Sequence, residues 1–374
     1  MRTLANIYRL GVKELWSLVR DPAMVVLIVY VFTGAIYIAA NAVPDSINLA
    51  SVAIVDEDDS PLSLRIGSAF YPPHFIKPYM VSLDEVDKGM DKDRFTFALD
   101  IPPNFQRDVL AGRNPQIQLN VDATRMSQAF VGSGYIQEIT LGEVTAFVER
   151  HRGQATLPVD LALRMRFNPN LTRSWFGGVV ELINNVTMLS IILTGAALIR
   201  EREHGTVEHL LVMPVTPFEI MTAKIWSMGL VVLAATACGL FFIIQGALHI
   251  PIEGSILLFL LGAAAHLFAT TSLGIFLATL ARNMPQFGML LILILLPMQM
   301  LSGGSTPRES MPQFVQDIML VAPTTHFIEL GQGILFRGAG IDVVWKPLVF
   351  LAAIGCVFFA VSLARFRKTL SQMA

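Results

Sequence analysis

Residues 181–224 read ELINNVTMLSIILTGAALIREREHGTVEHLLVMPVTPFEIMTAK, and the order of these parts decides the fold. A charge-free run from 182 to 199 gives way to the turn Arg200-Glu201-Arg202-Glu203-His204. A one-turn apolar stripe of Val207, Leu210 and Leu211 follows, and Pro214 ends it. A helix then restarts with Thr216 at its cap, Pro217 at its first position and Glu219 three residues beyond the cap, the pattern of a capping box. The next charge-free run extends from Lys224 to Glu253. Two apolar runs near the roughly 20 residues that cross a bilayer, joined by a short charged hairpin, describe two spans of a polytopic membrane protein.

Working outward, further charge-free runs lie between Asp21 and Asp45, Glu253 and Arg282, Arg282 and Arg308, and Lys346 and Arg365. The whole chain is 53% hydrophobic and only 15% charged over 374 residues, where a soluble domain has about 25% charged residues. The fold class expected is an α-helical integral membrane protein with six transmembrane helices, at 21–43, 178–199, 225–249, 256–281, 284–301 and 347–364. Ala40-Asn41-Ala42 resembles a signal-peptidase site, yet 22 residues precede the apolar run and the run is longer than a signal core, so it reads as an uncleaved helix.

Basic residues cluster at one set of span ends: Arg2, Arg9, Lys13 and Arg20; Arg200, Arg202 and Lys224; Arg282; and Arg365, Arg367 and Lys368. The positive-inside rule therefore predicts both termini, the hairpin 200–224 and the tail 365–374 in the cytoplasm, with the long segment 44–177 outside. Residues 1–20 predict an amphipathic helix in the headgroup plane, its apolar stripe Leu4, Ile7, Tyr8, Gly11, Leu15, Leu18 and Val19. The net charge of -2 offers no footprint for nucleic acid. Both cysteines, Cys238 and Cys356, lie inside apolar runs, so the external segment must fold on its own core.

That segment alternates strand and helix signals: Leu49 to Val55, a helix start at Ser60-Pro61, a strand from Arg94 to Ile101, a short helix to Ala111, a strand from Gln116 to Val121 and a long helix from about Ser127 to Arg152. It predicts an inserted α/β extracytoplasmic domain. The Gly- and Pro-rich stretch 302–346 is too discontinuous to span and predicts half-inserted helices covered by protein.

Two motifs invite metal chemistry and fail on geometry. His204 and His209 are spaced i, i+5, about 140° apart on a helix, so they cannot converge on one zinc ion as an i, i+4 pair does. Asp56-Glu57-Asp58-Asp59 ends a strand and precedes a helix, where carboxylates serve as caps, and lacks the spaced Glu of an EF-hand loop. Within the spans, Asn184, Asn185, His266 and Gln299 are the polar residues that would face a bundle interior or a substrate pathway, with interhelical hydrogen bonding the plainer account. The acidic Glu201, Glu203 and Glu208 do not suit an anionic leaflet, which favours a protein partner for the hairpin.

The Glu-x-x-Gly-Thr-x-Glu core of residues 200–217, with its closing Pro, resembles the signature of ABC-2 type transporter permeases. Arg166-Phe167-Asn168-Pro169-Asn170, Leu301-Ser302-Gly303-Gly304-Ser305-Thr306-Pro307-Arg308 and Pro323-Thr324-Thr325-His326-Phe327 are similar to phrases of its long-ectodomain bacterial subgroup. The resemblance implies that the hairpin is a coupling helix docking into an ATPase subunit, through Glu201, Glu203, Gly205, Thr206, Glu208, Leu210 and Leu211. It implies a second permease half, identical or related, and a periplasmic adaptor on the external domain. No Gly-x-x-x-x-Gly-Lys-Ser/Thr loop occurs in the sequence, so ATP is expected on the partner and no cofactor or catalytic residue in this chain. The alternative is a membrane-anchored assembly protein whose external domain recruits a partner without transport; a co-purifying ATPase separates the two.

Overall fold

The computed structural model describes residues 2–41, 49–92, 94–122, 126–152, 173–203, 215–306 and 308–371. The chain divides into two compact units, residues 43–164 and the remainder.

The smaller unit carries a four-stranded sheet in the order β2 (Tyr79–Met80), β1 (Val52–Asp56), β3 (Phe97–Ile101), β4 (Gln118–Val121). The first three strands are parallel and β4 runs antiparallel to β3. Alternation along the strands sends Val52, Ile54, Phe97, Leu99 and Ile101 to one face, where they pack with Leu62, Ile66, Phe105, Val109 and Ile136 from the helices. The other face, Ala53, Val55 and Ala98, closes on Val86 and Phe95. Two elements were not anticipated: the two-residue β2, and the helix Leu83–Asp91, whose start Ser82 and Glu85 mark with a capping box. The acidic run is spent on the chain itself. Asp56 accepts from the backbone of Asp58 and Asp59 and from Ser63 Oγ, while Asp58 accepts from the backbone N–H of Gln106.

In the larger unit, five helices among the described residues are long and apolar enough to cross a membrane: α2 (Pro22–Asn41), α7 (Ser174–Glu203), α8 (Pro217–Ala247), α9 (Ile256–Leu280) and α13 (Ile341–Lys368). The numbering counts α1 (Arg2–Val19), four helices of the smaller unit (Pro61–Ser68, Leu83–Asp91, Phe105–Leu110 and Met126–Arg152), α10 (Met284–Met300), α11 (Gln313–Met319) and α12 (Pro323–Arg337). The expected span at 284–301 is α10, an apolar helix of 17 residues and so about 26 Å long, short of the ~30 Å hydrocarbon thickness. The expected discontinuous region holds α11 and α12, bent by 89° at the break; counted as one broken span, they make a sixth.

Helix α9 is the centre of the bundle, packing on α7, α8, α12 and α13. Gly274 lets α9 and α7 close together, because a Cβ there would lie 2.6 Å from Thr194 Oγ1 and 2.7 Å from the Ile191 carbonyl. Most of α7 is buried, whereas α2 and α13 leave most of their apolar surface exposed. Helix α1 corrects the single stripe expected of it. Gly11 and Leu18 are buried against the bundle, while Leu4, Tyr8 and Val19, with Trp16, stay exposed beside the basic edge of Arg2, Arg9 and Lys13. The one sequence stripe is therefore two faces, one packed on protein and one open.

Candidate functional site

The ends of the charged hairpin are built from three elements. On the near side α7 runs out through Arg200, Glu201, Arg202 and Glu203; on the far side α8 starts with the capping box of Thr216 and Glu219, whose carboxylate accepts from the Thr216 N–H at 2.7 Å. Helix α1 lies across both. Asn6 donates to Glu219 at 3.3 Å, and the Trp226 indole donates to the Ile7 carbonyl at 3.2 Å. Gly11 makes this crossing possible, since a Cβ there would sit 2.1 Å from the Trp226 ring.

Between the elements is a buried ion cluster. Lys224, only 2% exposed, reaches Glu14 at 2.9 Å and Glu201 at 2.8 Å. Lys13 takes the other oxygen of Glu201 at 3.0 Å and lies 3.8 Å from Glu14. Two cations thus balance two anions, the condition under which charges withstand removal from water. Partial burial of Lys13 works to lower its pKa, but Glu201 and Glu14 beside it outweigh that and raise it above the usual 10.5. At the rim, Arg200 pairs with Asp21 at 3.0 Å, and Asp21 also caps α2 by accepting from the Met24 N–H.

This geometry changes the reading of two predicted docking residues. Glu201 is held by Lys224 and Lys13, and Glu203 accepts from the N–H of Met284 at the start of α10. Their negative charge has partners within the chain and does not by itself call for another protein. Gly205, Thr206, Glu208, Leu210 and Leu211, with His204 and His209, lie outside the described residues. Glu14 and Lys224 are the residues that sequence reasoning missed. The signal was present: Glu14 shares the face of Ile7, Gly11 and Leu18, at i+7, i+3 and i−4, and a carboxylate on a packed face needs a cation opposite it.

The polar residues within the spans are dispersed. His266, fully buried on α9, has Nε2 2.8 Å from Thr187 Oγ1 and stacks on Phe327 with ring centroids 4.2 Å apart. Ser190 donates to Thr270 at 2.6 Å, extending the seam along α7 and α9. Asn185 points elsewhere, donating at 2.9 Å to the carbonyl of Val31, where α2 widens into a π-turn over Val31–Ala35 and frees backbone groups. Asn184 is buried beside it on α7, and Gln299 is half-buried near the end of α10. His266, Asn185 and Gln299 thus have separate surroundings, and His266 and Asn185 act as links between helices.

A bundle of membrane-length helices with a charged hairpin clamped at its base is matched by a known family, described as ABC-2 family transporter protein, over residues 23–364. The chain belongs to the ABC-2 transporter family. It is similar to the "Inner membrane transport permease YhhJ" of Escherichia coli strain K12, 63% identical over 374 residues and the full length of both proteins. It is also similar to the "Probable multidrug ABC transporter permease YbhR" of the same organism, 28% identical over 360 residues, 95% of this chain and 96% of that one. An amoebal relative, "ABC transporter G family member 20" of Dictyostelium discoideum, is 25% identical over 187 residues, half of this chain and a quarter of that one. The chain is accordingly a transporter permease of the ABC-2 type.

Proposed function

We propose that this permease is the membrane half of an ATP-driven exporter in a bacterial inner membrane, moving its substrate out of the cytoplasm or the membrane with ATP hydrolysed by a separate ATPase subunit. The observation that carries the reading is the full-length likeness to an inner membrane transport permease, together with a hairpin whose two flanks are fixed by buried charge. A loop held so firmly at both ends can pass on a push received in its middle. In this reading residues 200–224 face the cytoplasm, where Glu208, Leu210 and Leu211, with Gly205 and Thr206, meet the ATPase. Both termini share that compartment and 44–177 lies outside, docking a periplasmic adaptor. A second permease half, identical or related, completes the route, and the exposed apolar faces of α2 and α13 meet lipid or that partner.

The test is purification from membranes with the ATPase, comparing wild type with Glu208→Lys and with the pair Leu210→Ala, Leu211→Ala. A small interface rests on a few central residues, and an unpaired buried charge costs about 2–5 kcal/mol or more. Both variants are expected to insert normally and to lose the ATPase. If both retain substrate-stimulated ATP turnover, the hairpin is a connector and the coupling reading fails.

A further inference from the structure

The smaller unit holds a cavity of about 690 Å³ between its sheet and the helix Met126–Arg152, within the roughly 300–1,000 Å³ of sites that take small organic molecules. Its floor is the cross-strand pair of Leu99 on β3 and Leu119 on β4. One wall is Phe105 and Val109 of the helix Phe105–Leu110. The other is Ile136, Thr140 and Val144, spaced four apart and so stacked along one face of the long helix. These walls are apolar except at one point. Thr140 is only 7% exposed, and its Oγ1 has no hydrogen-bond partner among the described residues. Buried threonines of the membrane unit, such as Thr187 and Thr270, bond to the carbonyl one turn back on their own helix; Thr140 does not. A buried polar atom ordinarily has a partner, and one that lines a cavity can take it from whatever fills the cavity. The rim is different in kind. Gly112, at φ +76°, turns the chain out of the short helix and brings Arg113 to the mouth, where it is the one charged side chain among the described lining residues. Arg113 pairs with Asp108 at 3.1 Å, but Arg107 takes the same oxygen at 3.1 Å, so these three side chains carry one net positive charge.

We propose that this cavity binds a small amphipathic organic acid, its apolar body between Leu99 and Val144, its carboxylate accepting from Arg113 at the mouth, and a polar atom along its body supplying the partner that Thr140 lacks. The layout favours that ligand over a fully apolar one. The depth of the cavity is apolar and the charge stands at its rim, so an acid enters tail first and keeps its charge in water, avoiding the cost of burying it. The Arg113 side chain is 65% exposed, which lets it turn toward an anion at the mouth without unpacking the unit. The site lies wholly within residues 43–164 and depends on the fold of that unit alone, so it stands or falls independently of the coupling reading above.

The test is site-resolved photolabelling of the full chain in lipid nanodiscs with two probes that share one apolar body, a trifluoromethyl-diazirinyl benzoic acid and the matching benzyl alcohol. Labelled peptides are mapped by mass spectrometry, and non-saturating labelling of the membrane helices serves as the lipid background. In wild type both probes are expected to label peptides covering 105–119 and 133–148 saturably, the acid at the lower concentration. Arg113→Gln, at an exposed side chain that leaves the core intact, is expected to raise the half-saturating concentration of the acid about tenfold and to leave that of the alcohol unchanged. Thr140→Val keeps the shape of the side chain and is expected to weaken both probes about fivefold. Val144→Phe fills the cavity and is expected to abolish both. The proposal is overturned if labelling of these two peptides in wild type is no more saturable than that of the membrane helices, which would leave the cavity to water or to the chain itself. It is equally overturned if Arg113→Gln weakens acid and alcohol alike or neither, since the ligand is then not an acid held by Arg113. Should Val144→Phe fail to fold, Thr140→Val decides whether the labelled site is this cavity: unchanged labelling by both probes places them elsewhere and overturns the proposal.

Discussion

Two groups of buried polar side chains among the described residues of the membrane unit obey different rules. Along α7 and α9 the polar atoms are mainly hydroxyls, most of which also bond to the carbonyl one turn back on their own helix: Thr187 to Ile183, Thr194 to Ser190, Thr270 to His266, Thr271 to Leu267. Each is satisfied before any neighbouring helix arrives, so the seam adds specificity at low risk. At the base of the bundle the polar atoms are charged, and none of the four can be satisfied by its own helix alone. The first arrangement survives the loss of a member. At the second, losing one buried charge strands its partner, which is the behaviour expected of a junction that must keep three helices together.

The comparison is broken most sharply by Lys224→Met alone. Without the lysine, Glu14 loses its close partner and Glu201 loses its 2.8 Å partner, while the more exposed Lys13 stays with it. Stranding a buried charge costs about 3–5 kcal/mol. The single variant should therefore unfold in a detergent or urea titration at markedly milder conditions than the Glu14→Leu, Lys224→Met pair. A single variant as stable as the pair would mean that the cluster is open to water and that the contrast with the seam is false.

Thr187→Val probes the other region and should do much less. It removes the 2.8 Å contact to His266 Nε2 while keeping the shape of the side chain and the stacking of the imidazole on Phe327. A hydrogen bond is worth about 1 kcal/mol on average, and pairs measured within a membrane bundle average about 0.6. A loss above about 3 kcal/mol in the same unfolding titration would show that His266 depends on Thr187 as the charged residues depend on one another.

The same contrast explains which parts of the molecule could be read from sequence. The apolar runs were legible because lipid-length hydrophobicity is a local property, and so were the alternating strands Val52–Asp56 and Phe97–Ile101 and the caps at Ser60 and Thr216. The two-residue β2 was not, because its pairing with β1 comes from tertiary contact rather than from any run of its own. Lys224 is the most instructive miss. A charge beside an apolar run reads as the edge of a span, and nothing nearby says otherwise; its partner Glu14 is 210 residues away. Glu201 shows the same limit, since its acidity suggested an outside partner and nothing near it in sequence announced the ion pairs it makes with Lys224 and Lys13.

Lys13 supplies the finest test, because it belongs to the charged cluster while its side chain remains 55% exposed. Water already solvates much of its charge, so its ion pair with Glu201 is worth far less than that of Lys224, and salt screens it. Its pKa is raised above 10.5 by Glu201 and Glu14, which outweigh the opposing effect of burial. A group whose folded pKa lies above its unfolded value contributes all its stability below the unfolded pKa and loses it as pH climbs through the folded one. Lys13 should therefore add no slope to the stability of the permease between about pH 6 and about pH 9. Any loss that Lys13 contributes must begin only above 10.5, and Lys13→Met should remove that late step. Comparing the urea midpoints of wild type and Lys13→Met across this range, at low and at high salt, reads the difference directly. A gap between them that is wide near neutral pH and indifferent to salt would place Lys13 with the buried charges, and the division between a sealed centre at Lys224 and a solvated rim would have to be redrawn.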